Sequence, residues 1–382
     1  MGTRNLLFVM VMALAFAGSL FGGLGEEIQI ACSISLARMG LLMSLSQVGS
    51  FVSFLTLPLL ARKLSSYSLL VIGILSSSVT LLGMGLSRTA SVFGLFFLLN
   101  ALGGYLYGTS NIMVLINVDR PRMKTNIPLM HLTYSIASIF SGYYITFLKQ
   151  NTWYHGYVQM AVIYLVMGTL FILYKPAGID RWEQRKDQKL SDSFSLLKNK
   201  AFMKYLIFLI LANAVEYCNA VYPLLAITAL HAAGAREVGL AIIIIHFGST
   251  LSRLAAIPML KKGFSAHRML VSLCLVSMLG LIGFFLSSNL LWAYVSLALM
   301  GLGMGAVNPV SQVLEISSWP SDLLQLANIR SMGSTLGRIG MPLAVGFVIS
   351  SFSISASFLL LALSMGLAAL FLLASKAKPA SC

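Results

Sequence analysis

Apolar runs long enough to cross a bilayer recur from one end of this 382-residue chain to the other. A helix needs about 20 apolar residues to span the hydrocarbon core. Six such runs are read before a single long polar stretch at 175–204, at 5–30, 38–60, 67–87, 91–117, 126–148 and 155–174. Six more follow it, at 203–229, 238–260, 266–287, 290–316, 322–350 and 353–375. The polar stretch holds twelve charged side chains. The expected fold is therefore all-α and integral to the membrane, with twelve transmembrane helices in two pseudo-symmetric six-helix halves. The halves run over 1–174 and 203–382, joined by a basic linker at 175–202.

Composition agrees. Charged residues make up 10% of the chain, against about 25% in a soluble domain. The +15 net charge suggests nucleic acid, but the positions of Lys and Arg argue for membrane topology instead. With the N-terminus inside, nineteen fall on the inner side and four (Arg38, Arg88, Lys149, Arg236) on the outer. That asymmetry predicts a multi-pass protein of the cell membrane with both termini cytoplasmic. Met1–Gly23 has the form of a secretory signal but no A-x-A site follows, so it is read as a retained first helix. Cys32, Cys218, Cys274 and Cys382 are scattered, without CxxC or metal spacing. No metal, cofactor or nucleic acid is expected, and the chain is read as a monomer in the lipid bilayer.

The halves match residue by residue. Gly40, Gly49, Ser50 and Pro58 align with Gly239, Gly248, Ser249 and Pro258. Gly104, Gly108 and Asn111 align with Gly301, Gly305 and Asn308, and His131, Ser135, Ser138 and Ser141 with Arg330, Ser334, Gly337 and Gly340. Small residues at this spacing let helix backbones approach closely in lipid. Gly104, Gly108, Gly301 and Gly305 are accordingly expected at helix contacts. GLGMG at 301–305 has no strand before it, which removes a dinucleotide reading.

With six plus six helices, a basic linker, basic turns after the second and eighth helices, and an Asn on each Gly-rich fourth and tenth helix, the chain resembles the major facilitator superfamily over its whole length. Its turn ARKLSSYS lacks the usual Gly-x-x-x-Asp-Arg pattern. Within that superfamily it is weakly similar to the fucose–galactose–glucose proton-symporter branch. The similarity lies in Gly23 to Ile28, Gly104 to Asn111, and His131 with Ser135 and Ser141. The resemblance implies a carboxylate on helix one. Where some members carry an acid on helix four, this chain has Tyr107, and Pro128 replaces an expected Asn.

Function must come from polar groups inside the membrane, because each costs at least ~2.5 kcal/mol there unless paired or wetted. Glu216 lies about 18 Å into helix seven at 1.5 Å per residue, near the midplane, and Asn213 and Asn219 share its polar stripe. It is either locked in an ion pair or serves as a substrate or proton site. Glu26 and Glu27 fall near the outer rim, solvated there or turned inward if helix one bends. Arg253, Arg330 and Arg338 stay charged, and either pair with Glu216 and Glu315 or bind an anion. His131 and His246 are titratable, and Tyr105, Tyr107, Tyr134, Tyr217 and Tyr222 offer flat walls or ordinary packing. With Asn111 and Asn308 these residues form the expected substrate and proton pathway. The leading expectation is a secondary active transporter of a small polar, sugar-like solute, working by alternating access with a proton as coupling ion. An organic-anion carrier served by the three arginines is the runner-up, and a drug exporter is third. HExxH, GxSxG and P-loop patterns are absent and the loops are short, which argues against an enzyme.

Overall fold

A computed structural model describes residues 3–118, 123–150, 152–174, 194–319 and 323–375. Among the described residues there are fifteen α-helices and no strand. They are α1 Thr3–Gly23, α2 Gly25–Cys32, α3 Leu36–Ala61, α4 Ser66–Leu86, α5 Ala90–Val118, α6 Met123–Gln150 and α7 Tyr154–Leu173. Then come α8 Lys200–Asn219, α9 Tyr222–His231, α10 Ala235–Lys261, α11 Ala266–Phe285, α12 Leu290–Gly305, α13 Val307–Ser318, α14 Leu323–Ser351 and α15 Ile354–Ser375. Eleven spans are long and apolar enough to cross a membrane, with α9 continuing one of them. The twelfth crossing is α6, which has the length at 28 residues but carries His131, Ser135, Ser138, Ser141 and three tyrosines. Leu173, Phe347, Phe352 and Leu363 stand exposed, as an outer face turned to lipid requires. Backbone polar groups meanwhile close their bonds inside each helix.

Three of the twelve spans are broken, where the sequence reading expected continuous helices. The causes are local. Pro223 and Pro309 each lie four residues after the break-side residue, Asn219 and Gly305. A proline lacks the N–H that would bond the carbonyl four residues back, and its ring crowds that carbonyl. The first span breaks at Leu24 among Gly22, Gly23 and Gly25, where the helix is weakened by glycine. The polar caps are conventional: Asn199 accepts from Ala201 and Phe202 N–H at 2.9 and 3.2 Å, and Asn289 from Trp292 at 3.0 Å.

The helices group into two compact units, one comprising Met1–Arg185 with Gly234–Leu240 and the other Lys186–Ala233 with Ala241–Cys382. Most of the expected linker, residues 175–193, lies outside the described residues. Its described part is the 3-10 turn Phe194–Lys198 and the start of α8. In the first unit α4 packs on α5 and α7, α3 on α5, and α1 on α6. In the second unit α11 packs on α12 and α15, and α8 on α14 and α15. Tyr67 donates to the Phe171 carbonyl at 3.3 Å in the first, and His267 Nε2 meets the Leu372 carbonyl at 2.9 Å in the second.

These equivalent contacts correct the repeat register read from the sequence. Gly49 packs on Leu98 and Leu102, and Gly248 packs on Ala298 and Leu302. The step through the fourth and tenth spans is thus 200 residues, from Leu98 to Ala298. It is three fewer in the first and seventh spans, where Leu24 answers to Val221. Asn308 therefore corresponds to Gly108, not Asn111. A three-residue slip turns a helix by about 300° and returns small residues to nearly the same face, so spacing cannot detect it. The glycine contacts split accordingly. A side chain at Gly301 or Gly305 would overlap the backbone of Ile245 or Ser249 on α10. A Cβ at Gly104 meets nothing within 4 Å, and one at Gly108 meets only Leu14 at 4.0 Å. The expectation of a helix contact at Gly104 and Gly108 is overturned: they face open space.

Candidate functional site

The polar stripe read on the seventh span becomes a network in the second unit. Asn308, on α13 just past the tenth-span break, donates to Glu216 Oε2 at 2.7 Å. Arg338 of α14 stands 3.8 Å from the same oxygen and donates to Asn213 Oδ1 at 3.2 Å. Asn213 in turn donates to the Leu209 carbonyl at 2.9 Å. Glu216 and Arg338 are 28% and 34% exposed, so the pair is accessible and its Coulomb energy is screened. Asn219 lies three residues along α8, on the same side as Glu216. It is 5% exposed, and neither atom of its amide has a partner among the described residues. Buried polar groups are nearly always satisfied, which marks Asn219 as poised for a partner.

The remaining cations of this unit are engaged elsewhere. Arg330 pairs with Glu315 at 3.2 Å, and Glu315 is 8% exposed. Tyr205 donates to the other Glu315 oxygen at 2.8 Å, and Gln312 Oε1, with its amide turned toward the guanidinium, accepts from Arg330 at 2.9 Å. Removing one member of such a buried pair costs ~3–5 kcal/mol. Arg253 Nε donates to the Gly305 carbonyl at 2.8 Å. The backbone oxygen freed by Pro309 is thereby capped. His246, on α10, is half-buried and its carbonyl accepts from Thr250 at 2.8 Å.

The first unit treats its candidates differently. Tyr107 is fully buried and donates to the Met10 carbonyl, so it ties α5 to α1 instead of walling a cavity. Asn111 donates to the Leu7 carbonyl at 3.4 Å. His131 is exposed on α6. Along α5 runs an open cleft of about 410 Å³ lined by Gly104, Tyr105, Gly108, Thr109, Ile112, Met113 and Ile116. Glu26 and Glu27 leave the cavity question aside: both hold Lys149, Glu26 at 3.2 Å and Glu27 closer. Lys149 is only 4% exposed. The sequence reading put that lysine in an outer loop. A lone Lys ending a helix looks like a topology charge, and only the bend of α2 at Leu24 brings two carboxylates onto it. Tyr205 and Gln312 were also missed; their one signal was Gln312 and Glu315 three residues apart on a spanning helix.

Repeated six-helix halves, spans broken within the membrane and a half-exposed charged network inside one half define a transporter, not an enzyme. The family profile of the Major Facilitator Superfamily matches residues 6–329, and the chain belongs to that superfamily. No curated protein sequence matches it. Solved structures do. A mutant form of the nucleoside transporter NupG superposes with TM-score 0.84 at 16% identity, covering 98% of this chain and 100% of that one. The D-xylose-proton symporter gives 0.80 at 13%, covering 99% of each. A bacterial homologue of the human lysosomal transporter Spinster gives 0.75 at 12%, covering 99% and 98%. Such identities speak to the fold alone.

Proposed function

We propose that the chain moves a small neutral polar solute, sugar-like in its hydroxyl content, together with a proton. The carrying observation is Glu216: a carboxylate that is open enough to be reached and is held by Asn308 and Arg338. A proton arriving at Glu216 Oε2 cancels its charge and releases Arg338 and the Asn308 amide. With Asn213 and the unpartnered amide of Asn219, these groups then offer paired donors and acceptors to solute hydroxyls. Loss of the proton draws Arg338 back. The two halves rock to expose the site to each side in turn. The chain acts as a monomer in the cell membrane with both termini cytoplasmic, as the Lys/Arg asymmetry favours.

The organic-anion reading loses support, because Arg253 and Arg330 each have an acceptor already and Arg338 faces Glu216 and Asn213. The neutral reading gains some from two structural neighbours, a nucleoside transporter and a D-xylose-proton symporter. A thermal-shift screen of purified protein tests it. A ligand at a hundred times its Kd stabilises by about 2.7 kcal/mol. Sugars, polyols or nucleosides should raise Tm and dicarboxylates should not. A shift by carboxylates alone would replace this reading with the anion carrier.

A further inference from the structure

Pro309 and Arg253 are a matched pair in the second unit. In the first unit the position equivalent to Pro309, 200 residues back along the fourth span, is Thr109. There α5 runs unbroken from Ala90 to Val118, and Ser53 donates to the Leu102 carbonyl at 2.7 Å. In the second unit the helix stops at Gly305 and restarts at Val307. The helix has lost the N–H that would bond the Gly305 carbonyl, because position 309 is a proline. Gly301 and Gly305 allow α10 to lie against the α12 backbone. Ser249 donates to the Gly301 carbonyl at 3.2 Å, and one turn further Arg253 Nε donates to the Gly305 carbonyl at 2.8 Å. The residue immediately before the proline is Asn308, the donor to Glu216. In the unbroken helix its counterpart is Gly108, which faces open space.

We infer that Arg253 is a positioning residue. It replaces the hydrogen bond that Pro309 removes, and so holds α13 at the angle that presents Asn308 to Glu216. It is not a substrate contact. The inference rests on reading Glu216 and Asn308 as the working pair, but the break and its cap can be tested without that reading.

The test is a double-mutant cycle on the full chain in nanodiscs, with Arg253→Met, Pro309→Ala and the two combined. Two signals are read: amide hydrogen exchange over residues 307–318, and the infrared carboxyl band of Glu216, identified by its loss in Glu216→Gln. Arg253→Met should speed exchange over 307–318 at least tenfold and shift the Glu216 band. The combined variant regains an N–H at position 309 for the Gly305 carbonyl, so exchange should fall back to within about threefold of wild type. Its Glu216 band should differ from that of wild type, because a straightened helix no longer aims Asn308 the same way. If Arg253→Met alone cannot be purified, recovery of folded protein in the combined variant is the same predicted rescue. Unchanged exchange in Arg253→Met, or no rescue by Pro309→Ala, overturns the inference. A Glu216 band unmoved by every variant would count against the working pair while leaving the exchange result to judge the cap.

Discussion

The seam between α1 and α6 and the seam between α8 and α14 are the same joint built twice, with different chemistry. In the second unit its central positions are Glu216, Asn308 and Arg338, bonded to one another. In the first unit Ser19 and Gly108 stand at the positions of Glu216 and Asn308, and Ser138 and Ser141 lie on the facing helix α6. Ser19 donates to the Ala15 carbonyl at 3.0 Å and accepts from Ser141 at 2.7 Å. Ser138 turns to the Tyr134 carbonyl at 2.9 Å, and Gly108 borders the open cleft. A charge within the membrane costs ~2.5–3.5 kcal/mol on insertion scales. The same joint thus carries a charged, hydrogen-bonded network in one unit and hydroxyls beside an open cleft in the other.

The largest effect should come from the buried Glu315–Arg330 pair of the second unit. Arg330→Met leaves Glu315 buried without its cation and should cost ~3–5 kcal/mol. Loss of most folded protein in a thermal-stability assay is expected; a Tm unchanged from wild type would mean Glu315 is already neutral. Next come the glycines, where the halves differ in space. Gly305→Leu should lose ~1–3 kcal/mol or more by overpacking against Ser249, whereas Gly104→Leu should express and melt like wild type. Equal damage from both would erase the contrast between packed and open faces. The smallest effect should appear where the units are alike. Ser33 and Ala232 both end their spans with positive φ, 53° and 48°. Replacing either by Gly should gain up to ~1 kcal/mol, because a left-handed backbone is strained for residues with a side chain. The gain, read as a rise in Tm, should be similar at both.

Much of this was legible in the residues and some was not, for physical reasons. Spans could be read because apolar length is dictated by bilayer thickness, and Glu216 with Asn213 because a polar stripe on an apolar helix is conspicuous. The breaks had a visible cause in Pro223 and Pro309, but whether such a proline kinks or interrupts depends on what caps the freed carbonyl. Arg253, distant in sequence, does so at Gly305. The repeat register was ambiguous because a one-turn slip preserves the face. Lys149 was hidden because a charge at a helix end looks the same whether solvated or enclosed, and only tertiary packing decides.

The central claim is that one carboxylate in the second unit does the coupling. The direct measurement is uptake into proteoliposomes under an imposed pH gradient, using the solute that gives the largest thermal shift, for wild type, Glu216→Gln and Glu26→Gln. Gln preserves shape and hydrogen bonding while removing the titration. Glu216→Gln should lose uphill accumulation while retaining part of its solute exchange, and Glu26→Gln, which sits with Lys149, should still accumulate. Full gradient-driven accumulation by Glu216→Gln would contradict the account and move the coupling to Glu26, Glu27 or His131.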